Sequence, residues 1–245
     1  MTDLQIPRLS PPLSRTCISL GIGSMGTLLE QIETHDFVEI RLDHLVASVA
    51  LDKGLKRART FRQLFDHDTP SIATCRQIAG LPDAERLRIL KDAIRHGACL
   101  CDLDMSTDTA IRAQLREFSQ AAGCGLILSN HDLTGTPGSR SLESMVRRGF
   151  EQGADIVKIA CLANTDQEAR RLLDMLAVDE WQGRLVFATL GQLGAFVRAF
   201  AVLRGAPFTY AAPDFGPKVF EAQPRARDLE RAVETLAPLA KRMFL

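Results

Sequence analysis

The residues of this chain best suited to chemistry sit where charges are usually avoided, inside short apolar runs. Glu39, Arg41 and Asp43 interrupt FVEIRLD (37 to 43), and Arg76 closes SIATCR (71 to 76). Asp102 and Asp104 punctuate ACLCDLDM (98 to 105), His131 and Asp132 end GLILSNHD (125 to 132), and Lys158 lies within DIVKIACL (155 to 162). A charge taken out of water without a partner is costly, so the recurrence of this pattern points to a polar pocket built among these runs. Two-residue alternation along an extended chain puts Glu39, Arg41 and Asp43 on one face. Lys158 is flanked by Ile156, Val157, Ile159 and Ala160. Burial among such neighbours disfavours an ammonium, lowers its pKa and yields the neutral amine that attacks carbonyl carbons. An imidazole such as that of His131 can move the protons that follow. Each residue also has a plainer reading. Glu39 and Arg41 could be a structural ion pair, and a lone histidine is more often a hydrogen-bonded core residue than a catalyst.

The elements that must position these side chains follow from one repeated theme: a short β-rich apolar run, a break, then an amphipathic stretch. Besides the five runs above, TCISLGI (16 to 22), RLVFATL (184 to 190) and FTYAA (208 to 212) bring the number of expected strands to eight. Helical periodicity marks residues 85 to 97, 110 to 123, 141 to 153 and 166 to 178, several of them ended by glycine, and a last helix is expected over about 226 to 242. Strict alternation of strand and helix calls for parallel strands joined by right-handed crossovers. Eight such units in 245 residues favour a single (β/α)8 TIM barrel of the α/β class over an open doubly wound sheet. The segment GIGSMG (21 to 26) lacks the surrounding features that make a glycine-rich stretch a dinucleotide fingerprint. One domain spanning 1 to 245 is expected, with the proline-containing residues 1 to 14 as a loose N-terminal arm.

Composition narrows the function classes. Thirty basic residues balance thirty acidic ones, and 46% of the chain is hydrophobic, which gives no sign of a nucleic-acid or membrane partner. The start of the chain has no apolar stretch behind a basic segment, and no run approaches the roughly 20 apolar residues of a membrane span. A cytoplasmic location is therefore expected. The six cysteines lie mostly within apolar runs rather than at zinc-site spacings, and are expected to be reduced core residues with no metal site among them.

The runs VEIRLDHL (38 to 45), SIATCR (71 to 76), LILSNHDLTGTP (126 to 137), GADIVKIA (153 to 160) and LGQLGAFVR (190 to 198) resemble, in order and spacing, the type I 3-dehydroquinate dehydratases. The similarity extends over nearly all of the chain from Thr16 onward, and its most specific parts are SNHDLTGTP and the DIVKIA lysine. The resemblance implies a hydro-lyase of the shikimate or quinate pathway that uses neither metal nor cofactor and acts on a small cyclic hydroxy-keto acid. It further implies that Lys158 forms a Schiff base and His131 acts as general acid and base. Ser19, Glu39, Arg41, Arg76 and Arg198 would bind substrate, and Gln223 would belong to a lid. For Arg198, a structural role on a helix surface is the competing reading. A homodimer through exposed helices is an association the fold would allow.

The chain also departs from the family. A glutamate followed by two glycines usually stands shortly after the TCR arginine and orients the catalytic histidine, whereas here the segment reads CRQIAGLPDAERL (75 to 87). Asp83 or Glu85 could substitute, although both look like first-turn residues of a solvent-facing helix. Asp104 replaces a glutamate on the fourth strand, Val197 replaces a serine, and VFEAQ (219 to 223) replaces the usual lid sequence. These departures predict a weakened dehydratase. They also keep two other readings open: a silent homologue that binds a pathway metabolite, and another Schiff-base lyase such as an aldolase.

Overall fold

Runs rich in aliphatic and β-branched residues suit strands covered on both faces, and all eight apolar runs contain strands in the computed structural model, which describes residues 16–48 and 55–244. The strands are β1 (Thr16–Leu20), β2 (Val38–Arg41), β3 (Ser71–Thr74), β4 (Leu100–Asp104), β5 (Gly125–Asp132), β6 (Ile156–Cys161), β7 (Leu185–Phe187) and β8 (Thr209–Ala211). Between and after them lie α1 (Met25–Thr34), α2 (Leu42–Ser48), α3 (Leu55–Phe65), α4 (Asp83–Arg95), α5 (Thr109–Ala121), α6 (Ser139–Glu151), α7 (Asp166–Met175), α8 (Gly194–Leu203) and α9 (Ala226–Phe244). The ladder order is β7-β6-β5-β4-β3-β2-β1-β8, and every pairing is parallel. The sheet thus wraps into the expected eight-stranded β/α barrel, with its seam between β7 and β8. The expected arm over residues 1 to 14 lies outside the described residues.

All strands except β5 are shorter than their apolar runs, and one difference corrects the sequence reading. The chain turns into α2 directly after Arg41, so Asp43 stands in the first turn of a helix and does not continue the alternation of β2. A carboxylate is favoured there by the exposed amides of the helix start. Arg76 likewise lies two residues beyond the end of β3.

Two apolar clusters hold the barrel together. Outward-facing residues such as Ile40, Cys101, Leu128, Val157 and Ile159 pack with the helices in the larger one. Inward-facing Cys17, Phe37, Ile72, Leu100, Ile127, Ile156 and Phe208 form the smaller one, which plugs the N-terminal end of the barrel. Helix α6 comes close to β6 because Gly149 has no side chain: a Cβ there would lie 2.6 Å from a Val157 methyl. Gly21, in the GIGSMG stretch, serves a close approach of another kind. A Cβ at this position would meet that of Arg41 at 2.7 Å, so the glycine lets the β1 exit pass over the pocket arginine. Five cysteines are buried, Cys99 is half-buried and none is in a disulfide. No helix among the described residues is long and apolar enough to cross a membrane.

Candidate active site

Above the apolar plug, the next inward positions are polar. Lys158 on β6 is 5% exposed, and its Nζ donates to Glu39 Oε1 on β2 at 3.1 Å and to Asp102 Oδ2 on β4 at 2.8 Å. The Tyr210 ring of β8 faces the same nitrogen at 4.2 Å. Each carboxylate is itself held. Glu39 accepts from Thr74 at 2.9 Å and from Ser19, and Asp102 accepts from Ser129 at 2.6 Å. Parallel register makes this layer: Ser19 is level with Glu39, Thr74 with Asp102, and Ser129 with Lys158.

This arrangement overturns the expected lowering of the lysine pKa. Burial does press downward, but the Asp102 and Glu39 carboxylates outweigh it and hold Lys158 above the ordinary lysine value. Of the four apolar sequence neighbours that suggested a neutral amine, Val157 and Ile159 point away from Nζ, because alternate side chains face opposite sides of a strand. Glu39 is lowered in turn; its burial is offset by Lys158 and Arg41. The resting site therefore holds an ammonium between two carboxylates.

The upper layer carries the arginines and the imidazole. Arg41 is clamped by Asp43 in a two-pronged contact, Nε to Oδ1 at 3.0 Å and Nη2 to Oδ2 at 2.7 Å. Asp43 thus serves as a support for the pocket from the start of α2. His131, near the end of β5, is held neutral, its pKa lowered to about 2 by burial, then by Lys158 and Arg76. Its Nδ1 is buried without a hydrogen-bond partner, and the carboxylate beside it is Asp104 at 3.6 Å. Asp83 and Glu85 do not reach it. Asp83 pairs with Arg86 at 2.8 Å, and Glu85 pairs with Arg57 and Arg88 at 2.6 and 3.1 Å. Gly80 sits in an open turn at φ +81°.

Arg198 corrects the surface reading, since it is 3% exposed. Its Nε donates to the Thr189 carbonyl just past β7 and its Nη1 to the Tyr210 carbonyl on β8, both at 2.7 Å. Burial lowers its pKa to about 10. All eight site residues expected from the sequence, Ser19, Glu39, Arg41, Arg76, His131, Lys158, Arg198 and Gln223, line one pocket of about 200 Å³. Leu133, Val219 and Phe220 also border it. Sequence reasoning gave no role to Asp102, Thr74, Ser129 or Tyr210. Asp102 carried a legible signal as a charge in a strand, but threonine, serine and tyrosine are ordinary strand residues. Among the described residues no group of three or more His, Cys, Asp or Glu side chains could hold a metal ion.

A nearly closed ring of parallel strands with its charged side chains gathered toward the strand C-termini defines a β/α-barrel enzyme. More narrowly, the chain belongs to the type I 3-dehydroquinase family, whose model matches residues 16–239. It is 29% identical over 209 residues to a 3-dehydroquinate dehydratase of Methanococcoides burtonii, covering 82% of this chain and 84% of that protein. A relative of the same name from Desulfotalea psychrophila is 28% identical over 209 residues, covering 82% and 88%. Among solved structures, a 3-dehydroquinate dehydratase from Geobacillus kaustophilus superposes with a TM-score of 0.77 at 22% identity, covering 92% of this chain and 91% of that one.

Proposed function

We propose that this protein eliminates water from 3-dehydroquinate to give 3-dehydroshikimate, through an imine on Lys158 with His131 as acid and base. The family membership and the curated relatives supply the substrate. The observation that carries the mechanism is a buried amine in the same pocket as a neutral imidazole and three arginines.

The resting ammonium must first lose a proton, and the Glu39 and Asp102 carboxylates in contact with Nζ are the acceptors at hand. The freed amine attacks the ketone carbon, and loss of the ketone oxygen as water leaves a protonated imine. That cation draws electrons from the neighbouring C–H bond. His131 takes the proton, and the bonding pair moves into the imine system to form an enamine. The enamine expels the β-hydroxyl, to which the imidazolium returns its proton, so the hydroxyl departs as water. Hydrolysis of the product imine restores the lysine and the ketone. Relative to free substrate the balance is one water lost. Arg41 and Arg76 are suited to the hydroxyls and carboxylate of the substrate, since guanidinium groups bind carboxylates through paired hydrogen bonds.

Borohydride reduction in the presence of 3-dehydroquinate tests this reading. The expected result is a stable mass adduct on Lys158, absent in Lys158→Ala together with all turnover. An unmodified, folded wild-type protein, or full activity in Lys158→Ala, would remove the mechanism.

A further inference from the structure

The imidazole that must move protons lines the pocket with one of its nitrogens left without a partner. Nδ1 of His131 is buried and unpaired. A base of this kind needs its second nitrogen fixed, because an N–H anchored at Nδ1 leaves the Nε2 lone pair free to accept the substrate's proton. Two nearby acids are already committed: Glu39 to Lys158, Thr74 and Ser19, and Asp102 to Lys158 and Ser129. Asp104 is differently placed. Its Oδ2 is fixed by Arg86 Nη2 at 3.0 Å, and Arg86 is fully buried, anchored to the Cys75 carbonyl at 3.1 Å and to Asp83 at 2.8 Å. Its Oδ1 lies 3.0 Å from Arg76 Nε and 3.6 Å from His131 Nδ1. The Arg76 contact is an ion pair without hydrogen-bond alignment, since Nε has no hydrogen-bond partner. One oxygen is thus anchored, while the other is shared between a pocket arginine and the base.

We propose that Asp104 is the positioning carboxylate of His131, anchored by Arg86, and that its Oδ1 closes on Nδ1 when Arg76 turns to the carboxylate of the substrate. The inference rests on the dehydratase reading above. A charge-assisted N–H···O contact is about 2.7 to 2.9 Å long, so the required movement is under about 1 Å, well within what binding supplies to contacts left long in a free enzyme. Asp104 does not receive the proton. It selects the tautomer and stabilises the imidazolium formed when the substrate C–H bond breaks. Binding of the substrate's carboxylate is thereby tied to activation of the base. A molecule that presents no anion to Arg76 leaves Asp104 divided and the base poorly aimed.

Asp104→Asn is the test, with Asp104→Glu as the variant that keeps the charge. In Asp104→Asn, kcat falls by about 10² while KM stays within about threefold and the borohydride adduct on Lys158 still forms. The isotope effect for substrate deuterated at the proton-losing carbon rises toward its full value, and Asp104→Glu restores kcat to within about tenfold of wild type. For a substrate analogue lacking the carboxylate, wild-type kcat drops, whereas the kcat of Asp104→Asn is indifferent to that group. Should Asp104→Asn fail to fold because Arg86 is left unpaired, Asp104→Asn with Arg86→Gln must show the same kcat loss and the same isotope effect. A kcat within about twofold of wild type in a folded variant, or an unchanged isotope effect with no rescue by glutamate, overturns the assignment. An analogue that slows both proteins equally removes the coupling to Arg76. Wild-type protein with neither turnover nor adduct sinks the dehydratase reading itself, whereas wild-type turnover with an unimpaired kcat in Asp104→Asn sinks only the role of Asp104.

Discussion

At the scale of single residues, the lysine and the histidine titrate in opposite directions from water, and both departures bear on activity. Lys158 sits above its ordinary value because two carboxylates outweigh its burial, whereas His131 is held at about 2 by burial, Lys158 and Arg76. At neutral pH the free enzyme therefore has a base that is ready and a nucleophile that must first shed a proton. Because the lysine proton passes to a carboxylate inside the site and the imidazole is already neutral, the expected profile of kcat/KM has no acidic limb near pH 6.5. Steady-state rates at constant ionic strength would measure it. An acidic limb near pH 6.5 that His131→Asn removes would mean that the imidazole titrates as it does in water, contrary to this account.

At the scale of elements, the ring of strands has one interruption. β7 and β8 have three residues each and end the ladder order on opposite sides, and Arg198 bridges them by donating to a carbonyl at each side. An arginine expected to bind substrate is thus also a staple across the seam. Two nitrogens are occupied by backbone, and among the described residues Nη2 makes no protein hydrogen bond, so it remains for a ligand. Arg198→Met strips the two carbonyls of their donor while roughly keeping the volume. The expected cost is about 2 to 4 kcal/mol, in line with leaving buried acceptors unpaired. Denaturant unfolding would report the loss, and hydrogen exchange would show amides of β7 and β8 opening before those of β4 and β5. Uniform exchange across the barrel would argue against a seam-specific role.

For the whole molecule, the buried charges make stability depend on pH. His131 binds no proton when folded until well below neutrality, while in the unfolded chain it protonates near pH 6.5. Acidification through that value therefore favours the unfolded state, by up to about 1.4 kcal/mol per pH unit for one proton. Glu39, whose pKa is lowered in the folded protein because Lys158 and Arg41 outweigh its burial, adds a second loss below about pH 4.5. Asp104 works the other way. Its pKa is raised, chiefly by burial, so its ionised form costs stability that is regained as the pH falls. His44, Asp132 and Glu168 are lowered as well and Glu230 is raised, so the lowered groups outnumber the raised ones and the melting temperature should decline from pH 7 to pH 4. His131→Asn should flatten the upper part of that decline, between about 6.5 and 4.5, and an unchanged slope in the variant would show the imidazole to be protonated in the folded protein.

The sequence by itself determined the number and order of strands, because apolar periodicity is local and survives in any window of ten residues. The eight pocket residues were legible for a related reason: charges inside strands are rare enough to stand out, and the resemblance supplied Ser19, Arg198 and Gln223. The departure from the family's glutamate was equally visible in CRQIAGLPDAERL (75 to 87). Only the tertiary structure decided which partner each of these groups meets. Lys158 and Glu39 are 119 residues apart in the chain and 3.1 Å apart in space, and that contact, with Asp102, reverses the sign of the lysine shift expected from its sequence neighbours. The same holds for Asp43, whose strand gives way to a helix, and for Asp104, which ring closure sets between two arginines and an imidazole. Electrostatic energy follows distance through space, and those distances exist only once the barrel has closed.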